Sequence, residues 1–596
     1  MIYVHINQWD PVRTGNSLML MALSCFLIAL AFSMIFIVGY SNVISSRYDG
    51  PLIFGLSVFL PLTVGLFVLL LFSYIFINKY PPLSLIYVFS GFLLKYVMPY
   101  YVFEGYVHHD TPIHYLSALY LKDHELNLGY HYHLWPSSLF LVNILKTISG
   151  LGFPIDYSLI ALVSRFLIPL SIYLISRRLL ANSRSVLVAM MALLVFEPFI
   201  IHPCPLITTT ALTIVAIMVF LGWLQRRELR WSYILVILGA SIATYHAVMP
   251  IALTLSILAV LAFYDLFPRL GFIKANMLSR HETSRIWLVA TMLIAIVVLY
   301  NTYVAVLVTR SIVKTLELIV QGGEARLDVY SLTMESPELR WQYDVITNIR
   351  IIALLFLLGI PSVIVALKLL VKYFTSKSSI VERMFFAIVV IAGINALLFI
   401  VFSIILQTGL VERLYQISYI LSPILTAYFY ENTSNTSFRK SSVLSVGKIV
   451  SLVILTGIFV FMPMSMFTPP SYKALYVDAF VKPELATAQW IANHISIPEA
   501  RFDGSNRLNK LAALYLYPSN VYGVNLSITR DIEVKALKKD YTYFSGAIIT
   551  TRKPLSTGST IVKGLSDTIL NEYIENLPNY LDKLFSNSVC EVFIYK

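Results

Sequence analysis

The sequence has little charge and little cysteine. Only 13% of its 596 residues are charged, whereas 58% are hydrophobic. A soluble domain carries about 25% charged residues, so this composition excludes a soluble globule and predicts a polytopic α-helical membrane protein. With three cysteines and no CxxC spacing, neither a disulfide framework nor a cysteine metal site is expected. At most Cys204 and Cys590 could pair outside the cytoplasm.

Apolar runs long enough to cross a membrane recur along the chain as far as residue 467. We count about thirteen, each of roughly twenty residues. The runs at 231–244 and 247–266 are separated only by Tyr245 and His246, so they form either two spans or one broken span. The others lie near 18–40, 52–77, 82–99, 157–176, 185–202, 205–224, 287–308, 349–371, 383–405, 413–430 and 449–467.

The basic residues predict the orientation of these spans. The formal net charge is +12, and Lys and Arg concentrate in alternate connections between the runs. Basic residues of a membrane protein favour cytoplasmic loops, so we expect a cell-membrane protein with a cytoplasmic N-terminus and no nucleic-acid partner. The loops at 100–156 and 309–348 then lie outside.

Three regions follow from this pattern. Residues 1–81 hold a cytoplasmic tail and the first two runs, and residues 82–467 hold the remaining runs with the two outer loops. An odd number of spans places 468–596 outside, where helix-like stretches alternate with strand-like stretches near 519–523, 544–550 and 589–595. This alternation predicts a small extracytoplasmic α/β domain.

A histidine-rich segment interrupts the apolar sequence. Six of the eleven histidines lie within it, and Asp110 stands among them: the histidines are His108, His109, His114, His124, His131 and His133. A carboxylate beside imidazoles can take up a proton, hold a metal ion or contact a phosphate. Alternatively, Asp110 caps a helix that begins at Thr111-Pro112. Helical spacing of apolar residues predicts two short helices here, on or dipping into the outer leaflet.

Four other polar residues stand in or beside apolar runs. A charge near the middle of a bilayer costs about 2.5–3.5 kcal/mol, so it usually faces a cavity or a partner. Arg165 and Glu197 either form a structural ion pair or belong to a site. His246 either makes an interhelical hydrogen bond or binds substrate. Arg413 either extends toward the membrane surface or binds phosphate.

The order of these elements resembles the GT-C membrane glycosyltransferases. The resemblance covers most of residues 82–596. Its motifs are the sequence HHDTPIH over 108–114, YHYHLWP over 130–136, SRFLIP over 164–169, ATYHA over 243–247, Glu412-Arg413, and the tail that begins PELATAQW at 483. The chain departs from the family in its two additional N-terminal helices and in lacking the Trp-Trp-Asp and Lys-Pro-Pro signatures. The similarity is strongest to archaeal members, and no subfamily is implied.

The resemblance implies sugar transfer outside the cytoplasm, with inversion, from a polyprenyl-phosphate donor to a lipid, glycan or surface-protein acceptor. Asp110 would be the catalytic base. The resemblance also implies a site at the lip of the membrane, with substrate-binding residues His109, His114, His131, His133, Arg165, Glu197, His246 and Arg413. The histidines would either hold a divalent cation, Mg²⁺, Mn²⁺ or Zn²⁺, with His109, Asp110 and His114 as ligands, or replace it by donating hydrogen bonds to the phosphate. Two alternatives stay open: a transporter or flippase of lipid-linked sugars or polysaccharide, and a non-catalytic assembly protein.

Overall fold

A computed structural model describes most of the helical region and a small sheet near the C-terminus. The described residues are 67–77, 80–102, 111–123, 136–151, 155–196, 206–226, 228–246, 248–271, 280–304, 352–375, 379–406, 412–434, 453–458, 486–487, 489–490, 493–494, 547–551, 576, 581–586 and 590–595. The first two predicted regions are therefore described only from Phe67 onward.

Thirteen labelled helices follow one another along this part of the chain. They are α1 (Phe67–Phe76), α2 (Pro81–Val102), α3 (Thr111–Asp123), α4 (Pro136–Ser149), α5 (Ile155–Leu179), α6 (Ser183–Phe196), α7 (Leu206–Arg226), α8 (Leu229–Tyr245), α9 (Val248–Leu261), α10 (Arg280–Leu299), α11 (Ile360–Phe374), α12 (Ile380–Leu406) and α13 (Glu412–Ser434). Wider π-helical turns extend α9 through Ala262–Leu266, extend α10 through Tyr300–Val304, and precede α11 at Leu355–Gly359.

The protein is a helical membrane protein. Six helices within the described ranges are long and apolar enough to cross a bilayer: Ile155–Leu179, Leu206–Arg226, Val248–Arg269, Ser284–Val304, Ile352–Phe374 and Ile380–Ile400. Large apolar side chains such as Ile237, Phe356 and Val371 are more than half exposed on the outside of the bundle. Lipid is the solvent that such a surface requires. The total of about thirteen spans stays a prediction.

Helix α6 lies at the centre of the bundle. Residues 186–195 are all at most 2% exposed, and the helix packs against α2, α5 and α13. Its sequence permits this position, because a helix that is apolar on every side can pack against other helices through each of its faces. The neighbouring helices therefore arrange themselves around α6.

Side-chain contacts show that successive helices run in opposite directions. At one end, Arg178 of α5 contacts Gln225 of α7, and the Ala181 N–H donates to Glu431 of α13. The C-terminal ends of α9 and α11 meet the start of α12 there, through Tyr264, Tyr373, Lys372 and Glu382. We call this the basic end, because it carries Arg177, Arg178, Arg184, Arg226, Arg230, Arg269, Arg285, Lys368, Lys372 and Arg383.

The turn at Tyr245 and His246 separates two helices. His246 has an extended backbone (φ −161°, ψ 145°), so α8 ends there. Helix α9 begins at Val248 and returns toward the basic end, packing against α8. The runs at 231–244 and 247–266 therefore form two helices of opposite direction and not one broken span.

Three strands are described near the C-terminus. Strands β1 (Ala547–Thr551), β2 (Leu581–Ser586) and β3 (Cys590–Tyr595) form an antiparallel sheet in the order β1-β3-β2. Strands β1 and β3 overlap the strand-like stretches near 544–550 and 589–595. The stretch at 519–523 and Cys204 lie outside the described residues, so the α/β domain and the disulfide stay predictions.

Candidate functional site

The histidine-rich segment contains two helices that pack on each other at the end of the bundle opposite the basic end. Helices α3 and α4 share a small apolar core with the start of α5: Tyr115, Ala118, Leu121, Leu139, Val142, Tyr157 and Ile160. Asn143 of α4 donates a 2.6 Å hydrogen bond to the carbonyl of Ala118 in α3. The sequence predicted two short helices here, and the structure has them.

Two side-chain contacts attach this helix pair to the bundle. The Ser137 hydroxyl of α4 donates to Thr244 Oγ1 of α8 at 2.6 Å. The Tyr115 hydroxyl of α3 donates to Asp156 Oδ2 of α5 at 2.7 Å. We call this end of the bundle the α3–α4 end. Because both contacts join regular helices, the start of α3, which directly follows Asp110, has a fixed place on the bundle.

Asp156 is fully buried at the start of α5. Its second carboxylate oxygen accepts the N–H of Tyr157 at 2.8 Å. The Lys146 ammonium lies 5.7 Å from the centre of the Tyr115 ring and brings a positive charge to the same place. A buried carboxylate needs such partners, and a helix N-terminus favours its negative charge. Asp156 and Tyr115 were not among the sequence-predicted site residues.

Two buried cations lie deeper in the bundle. Arg165 of α5 is 4% exposed, and its guanidinium lies 5.8 Å from the centre of the Tyr96 ring of α2. Lys95, also 4% exposed, precedes Tyr96 and donates a 2.7 Å hydrogen bond to the Leu194 carbonyl of α6. That carbonyl is in the last turn of α6, where the helix dipole favours a cation. Arg165 is thus confirmed as a buried charge, with Lys95 as a second one.

A set of small polar contacts continues from these cations toward α13. Ser164, next to Arg165, is hydrogen-bonded to Thr208 of α7 at 2.9 Å. Thr210 of α7 donates to Gln416 Oε1 of α13 at 3.3 Å. Arg413 precedes Gln416 by three residues, so its backbone lies one helical turn away at the start of α13. The side chain of Arg413 lies outside the described residues.

The two predicted histidines that are described have different surroundings. His246 is buried in the turn between α8 and α9, where its Nδ1 accepts the N–H of Val248 at 3.1 Å. Through this bond the ring satisfies one of the free N–H groups at the start of α9. His114 is buried in the first turns of α3. Substrate binding by either ring stays a prediction.

The remaining predicted site residues lie outside the described part of the chain: His109, Asp110, His131, His133 and Glu197. Neither the Arg165–Glu197 ion pair nor convergence of the histidines is therefore tested. Of the proposed metal ligands only His114 is described, and no group of three metal-ligating side chains occurs within the described ranges. Metal binding stays a prediction.

One signal for Lys95 was present in the sequence. It stands inside the apolar run 82–99, so it carries the same insertion cost that singled out Arg165. Asp156 gave no such signal, because an acidic residue at the edge of a run is common at helix starts. Its burial depends on α3 and α4 covering it, which is a tertiary contact.

The chain matches no protein-family profile, and it matches no curated protein.

Proposed function

We propose that this protein is an integral membrane glycosyltransferase that transfers a sugar from a polyprenyl-phosphate donor to an acceptor hydroxyl. The observation that supports the proposal is the pair of buried cations, Lys95 and Arg165, in a helix bundle against which α3 packs; α3 begins at Thr111, the residue after Asp110 in the sequence. The reaction requires cations that bind the donor's phosphate at the membrane, and a carboxylate that takes up the proton of the acceptor hydroxyl.

The cations would bind the donor phosphate. A guanidinium presents planar N–H groups that match phosphate oxygens, and an ammonium adds a compact charge. Burial strengthens both interactions, because little water screens the charges. Arg413 at the start of α13 would add a third cation, close to the Thr210–Gln416 contact. The polyprenyl chain would lie along the apolar exterior of the bundle.

Asp110 would act as the base. The acceptor oxygen attacks the anomeric carbon, its proton passes to the Asp110 carboxylate, and the bond between that carbon and the phosphate oxygen breaks. The electron pair leaves with polyprenyl phosphate, whose developing charge the cations stabilise. Attack opposite the leaving group inverts the anomeric carbon. The histidines would orient the acceptor, and a divalent cation held by His109, Asp110 and His114 would supply further charge for the phosphate.

The architecture that we propose with this function is GT-C-like. The α3–α4 end and the domain at 468–596 would lie outside the cytoplasm, and the basic end would lie inside. The alternation of helix directions supports this arrangement, because it places the basic residues together at one end.

The experiment measures transfer of radiolabelled sugar from polyprenyl-phosphate donors in membranes that contain the wild-type protein. Asp110→Asn should reduce kcat by roughly 100-fold or more, since a general base contributes about that factor. A β-linked donor should give an α-linked product, and an α-linked donor should give a β-linked product. The absence of transfer with every donor tested would reject the proposal.

Donor binding tests the cations separately. Lys95→Gln, Arg165→Gln and Arg413→Ala should each raise the KM for the donor about tenfold, with a smaller change for the acceptor, because each removes a charge-assisted contact. Lys368→Gln is the matched control, since Lys368 is an exposed lysine at the basic end. Donor binding without transfer in the wild type would favour the transporter alternative.

A further inference from the structure

A second cluster of polar side chains lies at the basic end, far along the helices from the buried cations. It contains Arg178 in the last turn of α5, Arg226 at the end of α7 and Trp231 in the first turn of α8. Arg178 donates from Nε to Gln225 of α7. These positions bring one helix end from each of three neighbouring helices together.

Gly222 of α7 makes room for the cluster. A Cβ atom built on Gly222 would lie 3.1 Å from Nη1 of Arg178 and 3.8 Å from two ring atoms of Trp231. Both side chains therefore approach one point within 4 Å, on the surface of α7 that any larger residue would occupy. The Arg178 guanidinium and the Trp231 indole are consequently neighbours.

Two buried donors of this cluster have no hydrogen-bond partner among the residues that the structure describes. They are Nη2 of Arg178 and Nε1 of Trp231. Neither group can satisfy the other, because a guanidinium and an indole N–H both donate and neither accepts. A buried donor without a partner is costly, so the missing group must be an acceptor.

The local charge selects an anion rather than a neutral acceptor. Arg226 directly follows Gln225, the residue that the Arg178 side chain contacts, so a second arginine lies at the same helix end. The carboxylate of Glu228, at the start of α8, is paired with Arg230, whose guanidinium lies 5.9 Å from the centre of the Trp231 ring. Water would satisfy the N–H groups, but only an anion would also offset the repulsion between the two arginines.

We propose that Arg178, Arg226 and the indole N–H of Trp231 bind a phosphate group at the basic end. A phosphate has several acceptor oxygens, and the guanidinium fork matches their spacing. The cluster lies at the ends of membrane-length helices, which is the depth of lipid headgroups. The phosphate therefore belongs either to an anionic phospholipid or to a soluble phosphate compound. This site is separate from the proposed donor site.

The experiment uses the purified full-length protein. One arm places it in nanodiscs of phosphatidylcholine with a minority of phosphatidylglycerol and measures the retained lipids by native mass spectrometry. The other arm measures equilibrium binding of radiolabelled inorganic phosphate. Arg178→Gln and Trp231→Phe should each lower binding about tenfold, since each removes a hydrogen bond to an anion. Arg285→Gln is the control, because Arg285 is an exposed arginine at the same end.

Selective retention of phosphatidylglycerol that both variants lose identifies a lipid headgroup site. Saturable phosphate binding without lipid selectivity identifies a soluble ligand. The proposal is overturned if the wild type shows neither, or if Arg285→Gln lowers binding as much as Arg178→Gln does. Trp231→Phe keeps an aromatic side chain and the charges and removes only the indole N–H. If Arg178→Gln does not fold, Trp231→Phe tests the proposal by itself, and unchanged binding in this variant contradicts it.

Discussion

At the scale of single residues, the position of a polar residue in an apolar run indicates only part of the buried polar groups. Arg165 and Lys95 each interrupt an apolar run, and both are buried in the bundle. Asp156 stands at the edge of a run, yet it is fully buried and hydrogen-bonded by Tyr115 of a different helix. Its environment is created by α3 and α4, which precede α5 in the chain and pack against its first turns.

We expect the hydrogen bond between Tyr115 and Asp156 to stabilise the folded protein. Tyr115→Phe should lower the free energy of unfolding by about 1–3 kcal/mol, because a buried carboxylate loses a donor and keeps its desolvation cost. The measurement is chemical unfolding of the protein in detergent. Tyr233→Phe is the control, since the Tyr233 side chain is 62% exposed. Equal effects of the two substitutions would contradict a stabilising role for the bond.

At the scale of helices, close approach depends on small residues at particular places. The described helical stretch at 453–458 meets the π-helical turn before α11 at Gly457. A Cβ atom there would lie 2.5 Å from Cδ2 and 2.9 Å from Cδ1 of Leu357. Leu357 is buried, so its side chain has little space in which to move aside.

Gly457→Ala should therefore destabilise the protein by about 1–3 kcal/mol through overpacking. Gly393→Ala is a matched control within α12, because nothing lies within 4 Å of the added Cβ atom there. Alanine favours a helix by about 1 kcal/mol relative to glycine, so this control should be neutral or stabilising. Thermal unfolding of the two variants in detergent makes the comparison, and a loss at both positions would contradict the packing argument.

At the scale of the whole molecule, side-chain contacts show which helix ends lie together at each end of the bundle. The pairs Tyr115–Asp156 and Ser137–Thr244 mark the α3–α4 end, whereas Arg178–Gln225 and Lys372–Glu382 mark the basic end. Every second helix from α5 to α13 therefore ends at the basic end. Basic residues favour the cytoplasmic side, which gives a direction to this alternation.

Cysteine labelling tests that direction. In a background with Cys25, Cys204 and Cys590 replaced by serine, Thr147→Cys should react with an impermeant maleimide added to intact cells. Thr375→Cys should react only after permeabilisation, because it follows α11 at the basic end. Both threonines are exposed, so accessibility is matched. Reaction of both in intact cells would contradict opposite ends, and a reversed result would contradict the predicted orientation.

The sequence by itself determined the class of protein and where most helices lie. Scarce charge and long apolar runs require lipid, and the run at 205–224 matches α7 almost residue for residue because bilayer thickness sets its length. The sequence also singled out Arg165, because a charge in an apolar run has a cost wherever it lies.

Only the tertiary structure decided which polar groups meet. Tyr115 with Asp156, Ser164 with Thr208, and Arg178 with Trp231 across Gly222 each join different helices. No local periodicity encodes such pairs, because they depend on how helices rotate and cross when they pack. The same reason explains why α6, rather than another equally apolar helix, occupies the centre: its neighbours bury every face of it.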